Sequence, residues 1–305
     1  MKTPKIVVVG SVNTDMVVKG DKIPAPGETV TGGRFVMVPG GKGANQAVAA
    51  ARLGADVTLV AKVGDDVFGE ESIQGFAKEG IITDHILRDP QNATGVALIL
   101  VDAGGENSIS VAPGANFALT PDEVEAALAK IGPADIVLLQ LEVPMETIQR
   151  AAELAHKAGA KVVLDPAPAA PLSSELLKSV DYLTPNETEA QLLTGLEVRD
   201  ETTARAAADK LLVDGARQVI VTLGSAGSLL SDGTTTSMVT CPKVDARDTT
   251  AAGDAFNGGL ACALARGESL EEAVRQASHV GALAVTKLGA QPSLPTAEEL
   301  EQFLA

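Results

Sequence analysis

The sequence predicts an α/β fold: a mainly parallel central sheet flanked by helices, with a second, smaller sheet beside it. Three observations lead there. Short β-branched runs alternate with Ala-rich helical stretches, the pattern of strands joined by crossover helices. Two stretches, 16–40 and 92–112, break that rhythm and carry strand-like segments with no helix between them. No linker, repeat or low-complexity tract interrupts the 305 residues, so one integrated unit covering 1–305 is expected.

The elements follow in chain order. "KIVVVG" (5–10) is a continuous apolar run, as a strand buried on both faces requires. "MVVKG" and "ETVTGGRFVMV" are the first two strands of the small sheet, and "GANQAVAAARLG" (43–54) is the first helix. "DVTLVAKVG" (56–64) returns to the main sheet. "TGVALILV" and "NSISVAP" flank "DAGGEN", a hairpin turn, and complete the small sheet. Then come the strand "DIVLLQL" (135–141), the helix 144–159, the strands "AKVVLD" (160–165) and "VDYLT" (180–184), the helix 201–215 and the strand "QVIVTLG" (218–224). From about Ala251 the chain reads as helices, ending in the tail "PTAEELEQFLA". A small sheet packed over a ligand cleft would act as its lid.

Composition narrows the function. No apolar run approaches the roughly 20 residues that span a bilayer. The "IVVVG" run, preceded by only two lysines, is too short for a signal-peptide core. A cytoplasmic protein with no membrane partner is expected. Cys241 and Cys262 form no framework and read as reduced thiols. A formal charge of −16 argues against nucleic acid, whose binding rests on cations neutralising phosphates, but leaves room for one small anion in a local site. With no Trp, one Tyr and six Phe, stacking platforms are disfavoured and small polar ligands favoured. His85, His156 and His279 are too isolated to ligate a metal together.

In an open parallel sheet, ligands gather beyond the carboxyl ends of the strands. Asn13 and Asp15 follow the first strand, Glu142 follows "IVLLQL", Asn186 and Glu189 follow "YLTP", and a turn with Gly224 and Gly227 follows "VIVT". Each alone reads equally well as a cap or turn; their convergence on one edge is the signal. "PGGKGANQA" (39–47) is no Walker A loop, because Gly43 follows Lys42 and Val36 stands where its first glycine belongs. "VVVGSVNTD" lacks the second and third glycines of a dinucleotide fingerprint.

"DTTAAGDAFNGG" (248–259) sets Asp254 among small residues at the start of a helical pattern. The structural reading is an N-cap beside a tight packing contact. The functional reading is an anion hole: free amides and the positive end of the helix dipole, bared so that a phosphoryl group can touch them. Asp254 then lies where an attacking hydroxyl loses its proton. The dipole is expected to lower its pKa, which is tolerable because phosphoryl transfer is loose and positioning outweighs basicity.

Together "GSVNTD", "PGETV", "GGKGANQA", "TGVALI", "GAN" (114–116), "QLE", "TPNETEA", "TLGSAG", "DTTAAGDAFNG" and "VTKLGAQPS" make the chain resemble, nearly end to end, the PfkB family of carbohydrate kinases. The resemblance implies a three-layer ribokinase-like fold with a β-sheet lid and a homodimer formed through that lid. It also implies ATP-dependent phosphorylation of D-ribose at its 5-hydroxyl, favoured within the family by "NTD" and "QLE". Asp254 would be the general base, and the amides of Ala251, Ala252 and Gly253 the anion hole. Sugar contacts would come from Asn13, Asp15, Gly41, Lys42, Asn45, Glu142 and Asp254. ATP would lie along Asn186, Thr222, Gly224, Ser225, Gly227 and Gly253. Glu189 would organise Mg²⁺, through water where needed. An activating K⁺ would fall among Asp248, Thr250, Ala284, Lys287, Gly289 and Ser293, mostly through backbone oxygens. The adenine contact stays unassigned, since Ser278 stands where relatives often carry another polar or imidazole group and His279 is displaced by one. Asp165, in "LDPAP", reads as a turn former without a role. The alternatives are a family kinase acting on deoxyribose, a ketose or a nucleoside, and a sugar-binding regulator without catalysis.

Overall fold

Strand β1 (Lys5–Val9) sends Ile6 and Val8 to one face and Val7 and Val9 to the other, and all four are buried. Period-two alternation of apolar residues on both sides needs a helical layer above and below. A computed structural model describing residues 3–305 has that arrangement. The chain continues through β2 (Asn13–Lys19), β3 (Arg34–Gly40), α1 (Lys42–Arg52), β4 (Asp56–Gly64), α2 (Val67–Lys78), β5 (Ile86–Asp89), β6 (Gly95–Val101) and β7 (Asn107–Ala112). Next come α3 (Pro121–Ile131), β8 (Ile136–Leu139), α4 (Met145–Lys157), β9 (Lys161–Leu164), α5 (Ser174–Ser179), β10 (Tyr182–Leu183), α6 (Glu187–Thr194) and α7 (Glu201–Val213). It closes with β11 (Val219–Thr222), β12 (Ser228–Ser231), β13 (Thr236–Val239), α8 (Ala252–Ala265), α9 (Leu270–Ala284) and α10 (Ala297–Leu304).

The main sheet has the order β13-β12-β11-β10-β9-β8-β1-β4-β5. It is parallel from β11 to β5, and β12 and β13 add an antiparallel edge. Ile6 and Val8 pack with Val48 of α1, Phe76 of α2, Leu260 of α8 and Val274 of α9. Val7 and Val9 pack with Val124 of α3, Ile148 of α4, Leu176 of α5 and Leu211 of α7. At ~25 cal/mol per Å² of apolar area, these two cores supply the main drive for folding.

The small sheet has the order β3-β2-β6-β7, with β2 and β6 parallel and the outer pairs antiparallel. It begins earlier than the sequence suggested: Asn13 and Asp15 belong to β2 itself, not to a loop after β1. It also starts later on its second strand, since 28–33 has no regular structure and pairing begins at Arg34. β5, β12 and β13 were not drawn from the sequence; each is four residues long, and "SLLS" and "TSMV" show no β-branched run. "VDYLT" gives only the two-residue β10.

Candidate active site

The carboxyl ends of β1, β8, β9, β10 and β11 open onto the N-termini of α1 and α8. The approach of α1 to β1 depends on glycine. A Cβ on Gly43 would lie 2.5 Å from the Ser11 nitrogen, and Gly41 adopts φ +90° with Asn13 N 2.7 Å from its Cβ position. The helix amides are then met by side chains from elsewhere: Lys42 N donates to Glu142 Oε2 (3.0 Å), Gly43 N to Ser11 Oγ (3.3 Å), and Ser11 Oγ to the same Glu142 oxygen (2.5 Å). Glu142 therefore caps α1, a structural duty compatible with a free second oxygen.

At the other helix, the N-cap is Ala251 rather than an acid, and no side chain caps it. Ala251 has φ 59°, the one positive φ outside glycine among the described residues. A left-handed alanine costs on the order of 1 kcal/mol, and such strain concentrates at functional sites. The amide of Ala252 donates to Thr249 O (3.2 Å), while those of Ala251 and Gly253 have no acceptor among the described residues. A Cβ on Gly253 would meet nothing within 4 Å, so no packing contact demands glycine there.

Asp254 sits in the first turn of α8, 4 % exposed, and is no N-cap. Its Oδ2 accepts from Asn45 Nδ2 (2.8 Å) and its Oδ1 from Gln46 Nε2 (3.2 Å). The expected lowering of its pKa is reversed. Desolvation pushes the carboxyl up, and Glu142 adds to this, against the opposing pull of Lys42, Asn45 and Gln46. Burial outweighs the dipole because the carboxylate has lost its water. Asn45 Oδ1 is buried without a hydrogen-bond partner among the described residues.

Lys42 lines the same cleft of about 180 Å³, with Asp165, Thr184, Asn186, Glu189, Thr222, Ala251 to Asp254 and Asn257. Burial alone would drag its ammonium down, but Asp254, Asp165, Glu142 and Glu189 together raise it above the ordinary lysine value. Asp15, on β2, is raised from 3.8 to about 6, by burial first and then by Glu142 and Asp254. Its carboxylate lies where a Cβ on Gly40 would stand, 2.3 Å from Oδ2.

Four residues escaped the sequence reading or received no role in it. Asp165, taken for a turn former, is 5 % exposed in the cleft and raised to about 8, chiefly by burial. Gln46 is fully buried between it and Asp254. Ser11 joins Glu142 to α1. Asn116, in the "GAN" motif, brackets Val12 through its amide and carbonyl and donates to Asn13 Oδ1 (2.8 Å). That last bond leaves Asn13 with its NH₂ group for any ligand. The position of Asp165 after β9 was the available signal, the same one that marked Glu142.

Asn186 and Glu189 form a reciprocal capping box on α6, and Asn186 bridges to Thr222. Gly224, Ser225 and Gly227 continue from Thr222 in a short 3₁₀ turn, outside the residues that line the cleft. The proposed cation residues come together from two loops: Asp248 accepts from Thr250 N (2.9 Å) and Oγ1 (2.6 Å) and from Gly289 N (2.8 Å). The backbone amides of Arg247 and Asp248 meet Val285 O, one residue beyond Ala284. The Lys287 ammonium pairs with Glu299, and the Ser293 hydroxyl donates to Ala290 O, so neither side chain points a donor set at Asp248. Ser278 bonds back to Val274 O within its own helix, and His279 bonds to Arg275 O.

The family model described as pfkB family carbohydrate kinase matches residues 3–297. A protein named ribokinase from Haemophilus influenzae is 46 % identical over 299 residues, covering 98 % of both chains. One named deoxyribokinase from Salmonella typhi is 38 % identical over 301 residues, covering 98 % of both. The solved structure of Arabidopsis thaliana ribokinase complexed with ribose and ATP superposes with a TM-score of 0.91 at 34 % identity, covering 99 % of each chain.

Proposed function

The chain belongs to the pfkB family of carbohydrate kinases, and from that premise we propose that it transfers the terminal phosphoryl group of ATP to the 5-hydroxyl of D-ribose. The observation that carries this reading is the pairing of a buried Asp254 with two unpartnered amides on a helix tip where Gly253 has open space. Asp254 takes the proton of the 5-hydroxyl, the sugar oxygen bonds to the terminal phosphorus, and the bond to the bridging oxygen breaks to release ADP. The Ala251 and Gly253 amides receive the charge on the moving group. The Ala252 amide, which donates to Thr249 O in this structure, completes the trio.

Asn13, Asp15, Gly41, Lys42, Asn45 and Glu142 hold the pentose. Carboxylates accept from paired hydroxyls, and the unpartnered Asn45 Oδ1 takes another. ATP runs along Asn186, Thr222, Gly224, Ser225 and Gly227. Among the described residues no cluster of three or more His, Cys, Asp or Glu could hold a metal, which suits a Mg²⁺ that keeps its waters and the nucleotide phosphates, with Glu189 reached through one of them. The cation would neutralise phosphate charge. An activating K⁺ fits the Asp248, Thr250, Ala284, Lys287, Gly289 and Ser293 loops through carbonyl oxygen, since Asp248 already fastens the two loops together. The whole chain works as one catalytic unit in the cytoplasm, dimerising through its lid.

Asp254→Asn keeps size and one of the two accepted amide bonds but cannot take a proton. Its kcat should fall by about 10²–10⁴, the range for a lost general base, with ribose binding retained. Near-normal turnover would overturn the assignment. Similarity to a deoxyribokinase gives 2-deoxyribose as the second reading; coupled ADP release from a sugar panel decides between them by whichever sugar has the higher kcat/KM.

A further inference from the structure

We propose that Gln46 is a positioning residue: its single amide group anchors the base Asp254 and ties it to Asp165, leaving Asp254 Oδ2 as the oxygen that meets the sugar. The proposal rests on the reading of Asp254 as the base.

Gln46 lies in the first half of α1, with no exposed surface. Its Nε2 carries two hydrogens and stands 2.8 Å from Asp165 Oδ2 and 3.2 Å from Asp254 Oδ1. Its Oε1 accepts from Gln140 Nε2 at 2.6 Å. The Asp254 anion, the form that acts as base, offers only acceptors, so the Gln46 amide must present nitrogen to it and oxygen to Gln140. The orientation of both amides is thereby fixed without reference to any ligand. A chain of hydrogen bonds thus runs from the end of β8 through α1 to the end of β9 and the tip of α8.

The two oxygens of Asp254 are held differently. Oδ2 is held by Asn45, whose own Oδ1 has no partner and which is among the proposed sugar contacts, so that bond is free to be exchanged on binding. Oδ1 is held by Gln46, whose other N–H is given to Asp165 and whose oxygen accepts from Gln140. An amide locked at three points fixes the carboxylate plane, and near-attack geometry is sensitive to such placement. Its donated bond also favours the charged form of Asp254. The other charged groups facing that carboxylate are Lys42, which favours the anion, and Glu142, Asp15 and Asp165, which oppose it.

The test is Gln46→Met, close in volume but unable to donate, compared with Gln140→Met, which removes the lock one amide further away. Turnover is measured from pH 5 to 9 at saturating ATP, with ribose affinity from calorimetry and folding from thermal melts. Gln46→Met should lose about 30-fold or more in kcat, keep its ribose Kd within about threefold, and move the acid limb of its kcat profile to higher pH. Gln140→Met should move in the same direction by a smaller factor. Equal losses in kcat and affinity with an unmoved pH profile, or wild-type turnover in Gln46→Met, would overturn the proposal. If Gln46→Met does not fold, Gln140→Met decides alone by the same criteria. Asp254→Asn run in parallel separates the two readings: an active Asp254→Asn removes the base itself, whereas an inactive Asp254→Asn beside an unaffected Gln46→Met removes only the anchor.

Discussion

Asp15 stands on the lid strand yet titrates with the cleft, because burial and the neighbouring carboxylates Glu142 and Asp254 raise it to about 6. Only its anion accepts from two hydroxyls, so kcat/KM for ribose should fall about tenfold per pH unit below that value. Asp15→Asn should bind ribose more weakly throughout and lose this particular inflection. The stability consequence has the opposite sign. The folded chain holds this proton more tightly than the unfolded one, for which 3.8 is the ordinary value, so stability is lost as pH rises from about 4 to about 6. The ligand-free Asp15→Asn protein should therefore melt higher than wild type at pH 7 and lose that advantage near pH 4. The cost of keeping this acid buried beside Glu142 and Asp254 is borne by the empty protein.

The tip of α8 makes a sharper prediction at the scale of an element. Gly253 is helical and has open space where its Cβ would be. Gly253→Ala should gain up to about 1 kcal/mol of stability from helix propensity. The added methyl nevertheless points into room proposed for the phosphoryl group, so kcat should drop about tenfold or more. Higher Tm with lower turnover is the expected pair, read by melting and steady-state rates. Elsewhere on the same helix glycine has a packing role: a Cβ on Gly258 would lie 2.6 Å from that of Ala49 in α1. The sequence alone could not separate these two kinds of glycine. It did show the bare run, the helix start and the acid, all of which are local. Gln46, Asp165 and Asn116 escaped because their meaning lies in contacts across 208, 119 and 104 positions. The pKa of Asp254 was misjudged for the same reason: the dipole is visible in local sequence, but the desolvation that overrides it comes from distant chain.

Across the whole molecule, the small sheet stands out for several large apolar side chains left open on neighbouring strands. Register places Leu98 with Met16 and Met37 on one face of the small sheet. Ile109 and Val111 share the other face with Asp15. Phe35, Met37, Leu98, Ile109 and Val111 are each about half exposed. Apolar sheet surface of this kind invites a second sheet. Ile109→Glu should convert the proposed homodimer to monomer in sedimentation at micromolar concentration; a wild-type monomer under those conditions would remove the dimer from the proposal. The main architecture was legible because strands buried on both faces leave continuous apolar runs. The antiparallel edge was not, since β12 and β13 are short and take their register from β11.

One consequence follows from β2 beginning at Asn13 and running unbroken to Lys19. Cover and fingers are a single piece of backbone. Tilting the flap necessarily drags Asn13 and Asp15, two of the proposed pentose contacts, so release of product and reopening to solvent should occur as one event rather than two.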